Sequence, residues 1–451
     1  ELGYTGQGIV VGHIDSGIDL DHPDLVGRLW INFDEVPGNG VDDDGNGYID
    51  DINGWDFGDD DNNPNDDSYQ PGHGTHTAGT VAGDGSGGTQ TGVAPGARLI
   101  ACKAFAYDGT GTVGMVWSAE QYCVENGARL ITMSLGVKGE VSVSLLRNER
   151  VNMNNLRDAG VPMFNSAGNY HYEYDPPIEL GMTARVPAPW NPLQTTPNNL
   201  GGVVSVGGTG YQNDGMYGSS SRGPAKWDDV DPFNDWPYLP GPGLTKPDVS
   251  APGVGVNSTT VGGGYSGDTW SGTSMACPHV AGLAALMLEK NPSLSPAGLD
   301  SLMELNAIDL GTAGKDNSYG SGRIDAYDIV MATPTTLAPD IVLSDQFPDP
   351  AGDGILDPGE ISTFVFELKN VSPVIDAVGV TANLAVVANP HVSVSDATAT
   401  FPDLPMNGGL GDNASDTFSL TVASGAPQGY PFTMMPVSYT HLTLPTTCTP
   451  C

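Results

Sequence analysis

Basic residues are scarce in this chain: 16 Lys and Arg stand against 54 Asp and Glu, a formal charge of -38 at pH 7. Such a surface repels nucleic-acid phosphates and anionic lipid, which argues against both as partners. It suits life in salt, the binding of cations, or plain solubility outside the cell. Long apolar runs are missing too. No stretch reaches the roughly 18 apolar residues that a membrane-spanning helix needs.

Cysteine is sparse: the sequence has 5. Cys448 and Cys451 fall in a tail set apart below, and Cys102, Cys123 and Cys277 alone make no disulfide framework, though one pair could bridge. What the chain does have is glycine (62) and proline (36), which imply many turns and long loops. Its 451 residues are too many for one compact core and suit a large domain followed by a smaller one.

The chain opens on Glu1 and enters the apolar run IVVGHID within about ten residues, so it reads as a mature domain or fragment without its targeting segment. The other end is unusual. VSYTHLTLPT (437–446) back-translates as GTC TCT TAT ACA CAT CTG ACG CTG CCG ACG, which resembles a transposon-type sequencing adapter. Residues 437–451 are therefore expected to be a non-native tail with no part in the native fold.

Between these ends the pattern divides near MATPTTLAPD (331–340), a linker-like stretch. Before it, IVVGHI (9–14), RLIACKAF (98–105), RLITMSL (129–135), VPMFNSA (161–167) and VVSVGG (203–208) are continuous apolar runs. Continuous apolarity predicts strands buried on both faces of a parallel sheet. Helix-compatible spacing over 113–125, 142–159 and 278–290 alternates with them, so residues 1–335 are expected to be α/β. Beyond the linker, TFVFELKN, VTANLAVVA, HVSVSDATATF and TFSLTVAS alternate apolar with polar residues. That predicts an all-β, immunoglobulin-like sandwich over 336–436, truncated by the tail.

Three segments carry chemistry. VVGHIDSGID sets Asp15 at the end of a buried strand, GHGTHTAG sets His73 at a loop-to-helix start, and SGTSMACPHVAG sets Ser274 just ahead of a helix with Pro278 in its first turn. Each alone is more often a turn residue or a cap. Together they supply a nucleophile, a base to take its proton and a carboxylate to hold that base in the required tautomer.

These three blocks resemble the triad blocks of the subtilase family, in that family's order Asp, His, Ser. SLG (134–136), NSAGN (165–169), SSRGP (220–224), KPDVSAPG (246–253) and GSGRIDAYD (320–328) fall between and after them as the family's own blocks do. The resemblance covers roughly residues 3–330 and implies a three-layer subtilisin-like domain with a mostly parallel sheet. It also implies a secreted serine endopeptidase acting on protein or peptide substrates. A dedicated processing peptidase would share every motif, and the β domain leaves surface or polymer binding open.

By the resemblance, Ser274 attacks the scissile carbonyl, His73 moves the proton and Asp15 orients His73. Asn169 and the Ser274 N–H receive the oxyanion. Ser134, Leu135 and Gly136 pair with extended substrate, and the Gly109–Gly114 region offers a second edge. Residues 170–200 and 225–245, with Trp227 and Trp236, depart from compact family members. Cys277 and His279 read as packed helix residues, His13 and His76 as packing or supporting groups, and His22 as a surface turn residue.

The strongest signal outside this set is NGVDDDGNGYIDDINGWD. Asp42, Asp44, Asn46 and Gly47 fit the first half of a calcium loop, with Asp50 at its ninth position; the twelfth is Asn53, so no full EF-hand is present. Calcium is expected there, with a plain Asp/Gly turn as the alternative. Asp59, Asp60, Asp61, Asp66 and Asp67 form a second acidic candidate, and Asp349, Asp353, Asp357 and Glu360 a third.

Overall fold

Strand β1 (Val10–Asp15) lies in the interior of a sheet, covered on both faces as its apolar run requires. Its companions are β2 (Gly54–Asp56), β3 (Arg98–Lys103), β4 (Leu130–Met133), β5 (Met163–Ser166), β6 (Val203–Gly210) and β7 (Val249–Val254). They run in the order β2-β3-β1-β4-β5-β6-β7, and every pairing is parallel. This computed structural model describes residues 2–67, 72–88, 91–192, 200–210, 212–227, 229–233, 243–334, 341–348, 358–370, 377, 380–386, 391–405, 408–426, 432–438 and 446–448.

The accompanying helices are α1 (His73–Ala82), α2 (Val113–Glu125), α3 (Val143–Asp158), α4 (Thr273–Lys290), α5 (Pro296–Leu305) and α6 (Ala326–Ala332). On one face of the sheet, Val11, Leu99 and Val249 meet α1 and α4 through Ala78, Val81, Val280 and Leu283. On the other, Ile14, Ile100 and Ile131 meet α2 and α3 through Tyr122, Cys123, Met153 and Leu156. Three layers result, with catalytic-type residues at the strand ends and helix starts.

The α/β class and the five strands read from apolar runs are observed. Two strands escaped that reading. β2 is only three residues long, and β7 contains Pro252 and Gly253, so neither shows a continuous apolar run. A hairpin of β8 (Thr259–Thr260) and β9 (Gly264–Tyr265) follows.

One helix start is corrected. α4 begins at Thr273 rather than near Pro278, so Ser274 lies inside its first turn and Pro278 inside the helix. Pro278 has no N–H to give to the Ser274 carbonyl one turn earlier. The side chain of Ser134 supplies that hydrogen bond instead, at 2.9 Å.

The C-terminal region is antiparallel. One sheet contains β10 (Ile341–Pro348), β11 (Ile361–Asn370), β13 (Val392–Asp396), β15 (Gly409–Asp412) and β16 (Phe418–Val422). The other contains β12 (Thr381–Val386), β14 (Thr398–Thr400), β17 (Phe432–Ser438) and β18 (Thr446–Cys448). Phe364, Phe366, Phe418 and Leu420 from the first share one apolar cluster with Ala382, Leu384 and Ala399 from the second. Val437, Ser438 and residues 446–448, inside the span read as a foreign tail, contribute to β17 and β18. Residues 335–340 of the linker, and Asp349, Asp353 and Asp357, lie outside the described residues.

Candidate active site

Parallel strands end together, so β1 and the start of α1 bring Asp15 and His73 to one edge although 58 positions separate them. His73 Nδ1 stands 2.6 Å from Asp15 Oδ1. That carboxylate is buried and also accepts from the Ser16 N–H at 2.8 Å and, on Oδ2, from the Thr77 hydroxyl at 3.2 Å. Burial raises the Asp15 pKa, but the His73 charge and hydrogen bond outweigh it and hold the carboxyl below its ordinary value. Burial lowers that of His73, and Asp15 outweighs it in turn, raising His73 above its ordinary 6.5.

The loop entering α1 is clamped by Asp66, a member of the second acidic candidate. Its buried carboxylate accepts from Gly72 N–H (2.9 Å), Thr75 N–H (3.0 Å) and the Thr75 hydroxyl (2.7 Å), and so caps the helix start from outside. Ser16 donates to the other Asp66 oxygen at 3.0 Å and accepts from Gly74 N–H at 2.9 Å. A side chain at Gly74 would meet the Gly17 carbonyl at 2.1 Å, so α1 is free to approach Asp15 only because glycine stands there.

Ser274, the second residue of α4, has an N–H with no intrahelical acceptor. Its hydroxyl donates to the Ser134 carbonyl oxygen at 3.1 Å. Asn169 lies beside the same helix start. Its Oδ1 accepts from Thr273 N–H (2.9 Å) and the Thr273 hydroxyl (3.1 Å), which fixes the amide and leaves its NH2 free to donate. The Asn169 NH2 and the Ser274 N–H are thus both hydrogen-bond donors at this helix start.

A cleft of about 720 Å³ extends from this corner. Asp15, His73, Ser134, Leu135 and Gly136 line it, and Gly109, Gly111 and Thr112 line it from the opposite edge. Buried Asn165 holds the first edge in place by donating to the carbonyls of Met133 (2.9 Å) and Leu135 (3.0 Å). From the divergent stretch 170–200, Tyr170, Met182 and Thr183 line the cleft. Trp227 does not; it is buried under Arg150, 4.7 Å from its guanidinium, and Trp236 lies outside the described residues.

Residues 6–322 match the Subtilase family. The chain belongs to that family. Subtilisin BL of Lederbergia lenta is 31% identical over 324 residues, 72% of this chain and 91% of its own length. Bacillopeptidase F of Bacillus subtilis (strain 168) is 30% identical over 348 residues, 73% of this chain. Subtilisin E of the same strain is 30% identical over 326 residues. The chain spans 21% of bacillopeptidase F and 66% of subtilisin E. Among solved structures, sphericase superposes with a TM-score of 0.52 at 28% identity, covering 71% of this chain and 92% of that one. Residues 6–322 are thus a domain of the subtilase family.

Within this subtilase the remaining histidines differ. His13 is buried, its Nε2 lies 2.9 Å from the Thr77 hydroxyl, and burial drives its pKa down to about 4. A neutral His13 thus reaches Asp15 through Thr77. His76 stacks on Trp270 at 4.6 Å and is likewise held near 4 by burial. His22 is no surface residue: it is fully buried beneath the β8–β9 hairpin, 3.0 Å from the Gly264 carbonyl oxygen. Cys277 is a packed residue whose thiol burial pushes up to about 12.

The acidic loops also separate. Asp59 and Asp67, with Asp56, surround Lys103, whose buried ammonium lies 2.7 Å from Asp56 and Asp67 and 3.9 Å from Asp59. The counter-charge at that second candidate is therefore a lysine. In the first loop, carboxylate oxygens of Glu35, Asp42 and Asp44 lie within 4.8 Å of one another. Asp50 is not in that group, because it caps a turn by accepting from Asn39 N–H (3.1 Å) and Gly40 N–H (2.9 Å). Asn46 donates through its side chain to Asp44 and Asp51, each at 3.0 Å. Glu35 carried no spacing signal, since it lies seven residues ahead of Asp42 on a separate turn.

Proposed function

We propose that this protein is a secreted endopeptidase that hydrolyses peptide bonds through Asp15, His73 and Ser274. The observation that carries the reading is the 2.6 Å contact of His73 with a buried Asp15, at the mouth of a cleft whose edge touches Ser274. An extended peptide lies along 134–136. The Ser274 hydroxyl leaves the Ser134 carbonyl, gives its proton to His73 Nε2, and its oxygen bonds to the scissile carbonyl carbon. The carbonyl electrons move onto oxygen, where the Asn169 NH2 and Ser274 N–H receive them. His73, now cationic beside Asp15, returns the proton to the leaving amine. Water then repeats the cycle on the acyl-enzyme.

Casein hydrolysis, blocked by a fluorophosphonate that labels Ser274, tests this. Loss of activity to thiol reagents with fluorophosphonate resistance would sink it. A buried thiol with a pKa near 12 supports Ser274 over Cys277 as nucleophile.

We propose further that calcium binds the loop at Glu35, Asp42 and Asp44. Hard oxygen donors of this kind suit calcium, and the bound ion would supply charge neutralisation and loop rigidity. The fit is partial, because Asp42 already accepts from the N–H groups of Gly45, Asn46 and Gly47.

A further inference from the structure

The far end of the cleft holds a charged group that catalysis does not use. Glu149 of α3 lines it, at 1% exposure, together with Val113, Val116, Leu135, Met182 and Thr183. One carboxylate oxygen accepts from Trp117 Nε1 at 2.7 Å and the other from the Thr183 hydroxyl. Both donors are neutral, so they orient the carboxylate without balancing its charge. Burial raises the Glu149 pKa, and these two hydrogen bonds offset that only in part.

Cations that stand close in sequence are directed elsewhere. Arg150 stacks over Trp227 and Phe233, at 4.7 and 4.3 Å. Arg185 donates to the carbonyls of Gly139, Ile178 and Leu180, and Lys138 pairs with Glu173 at 3.1 Å. Among the described residues lining the cleft there is no Lys or Arg, whereas Asp15 and Asp108 add two further carboxylates. At 1% exposure the Glu149 carboxylate has little water beside it to screen its charge.

We infer that Glu149 is a specificity-determining residue of this subtilase, selecting substrates with a Lys or Arg side chain at the position that reaches the far end of the cleft. The substrate's cation supplies a counter-charge that no Lys or Arg among the described cleft-lining residues provides. The walls of Val113, Val116, Leu135 and Met182 take the apolar stem of such a side chain. Trp117 and Thr183 fix the carboxylate oxygens, and together they tie α2 and the 3-10 turn Thr183–Arg185 to one floor. The inference rests on the peptidase reading and extends it to a substrate class.

Cleavage of an internally quenched peptide library by the full chain tests it. The wild type should favour Lys or Arg over neutral residues at one position by about tenfold or more in kcat/KM, as expected for a desolvated charge pair. Glu149→Gln should bring that ratio to within about twofold, mainly through KM, because the group binds substrate and does not act in the transition state alone. Glu120→Gln alters the buried carboxylate whose proton affinity Glu149 raises, yet Glu120 does not line the cleft, so the ratio should persist. A protein that is labelled at Ser274 and cleaves casein, but shows no basic preference or keeps it in Glu149→Gln, overturns the role of Glu149 and leaves the peptidase reading standing. A protein that is neither labelled nor active overturns the peptidase reading itself. Should Glu149→Gln fail to fold, the wild-type profile decides, and absence of a basic preference overturns the inference.

Discussion

Ser134 and Ser274 hold each other by two reciprocal hydrogen bonds: the Ser134 hydroxyl donates to the Ser274 carbonyl at 2.9 Å, and the Ser274 hydroxyl donates to the Ser134 carbonyl at 3.1 Å. Pro278 creates the first by leaving the Ser274 carbonyl without its helical donor. Ser134→Ala should therefore destabilise the fold by about 1–3 kcal/mol, the penalty of a polar group left unpaired. In a Pro278→Ala background the helix regains its own N–H donor, and the same change should have a smaller effect. Melting temperatures across this double-mutant cycle measure the coupling; additive shifts would refute the link between Pro278 and Ser134.

Ser274→Ala should abolish turnover with the fold intact. Asn169→Ala should lower kcat by about a hundred- to a thousand-fold with little change in KM, since an oxyanion donor acts on the transition state. A raised KM at unchanged kcat would instead make Asn169 a substrate-binding group.

The sheet and the three catalytic-type residues were legible because each left a local mark: a continuous apolar run, or glycines and a helix start around a reactive side chain. Asp66 and Asn165 left none. Their roles arise from hydrogen bonds to backbone 6–9 and 30–32 positions away, closed only by the tertiary fold. Spacing alone placed Asp50 in a cation loop, whereas Asp50 adopts a left-handed conformation (φ 54°) and caps a different turn. Glu149 was hidden for the opposite reason, as one acidic residue on a polar helix whose buried face only packing reveals.

Activity and stability should respond to pH in opposite senses through His73. Catalysis needs His73 neutral, so kcat/KM should rise as pH climbs through a pKa above 6.5. The stabilisation from the charged His73–Asp15 pair is present in full below 6.5 and is lost as pH rises through that raised value. His13 and His76 act the other way. Held near pKa 4 in the fold and 6.5 when unfolded, they remove stability as pH falls from 6.5 toward 4. A pH–rate profile beside a pH series of melting temperatures separates the contributions; a kcat/KM acid limb below 6 would contradict the His73 assignment.

Thr77 is the sole intermediary between His13 and Asp15 among the described hydrogen bonds. Thr77→Val keeps the volume but removes one donor to Asp15 and the partner of His13 Nε2. The expected result is a loss of about 1 kcal/mol in transition-state stabilisation, roughly fivefold in kcat. A shift of the acid limb to lower or higher pH should accompany it, because Asp15 sets the His73 pKa. An unchanged limb would show that Thr77 serves packing alone.

Chelation tests the acidic loop. Glu35, Asp42 and Asp44 gather three carboxylates within 4.8 Å, and among the described residues no Lys or Arg pairs with them as Lys103 pairs with Asp56 and Asp67. Among the described residues, backbone N–H donors and the side-chain amides of Asn32 and Asn46 ease their mutual repulsion in the ion's absence. An ion that binds the native state alone stabilises it by about 2.7 kcal/mol at a hundredfold excess over its dissociation constant. Melting temperature in millimolar calcium should therefore exceed that in EDTA, and autolysis should be slower. Glu35→Gln should shrink the calcium shift, whereas Asp50→Asn, at a turn outside the cluster, should retain it. Coincident melting curves with and without EDTA would mean that the loop is held by its own hydrogen bonds and takes no calcium.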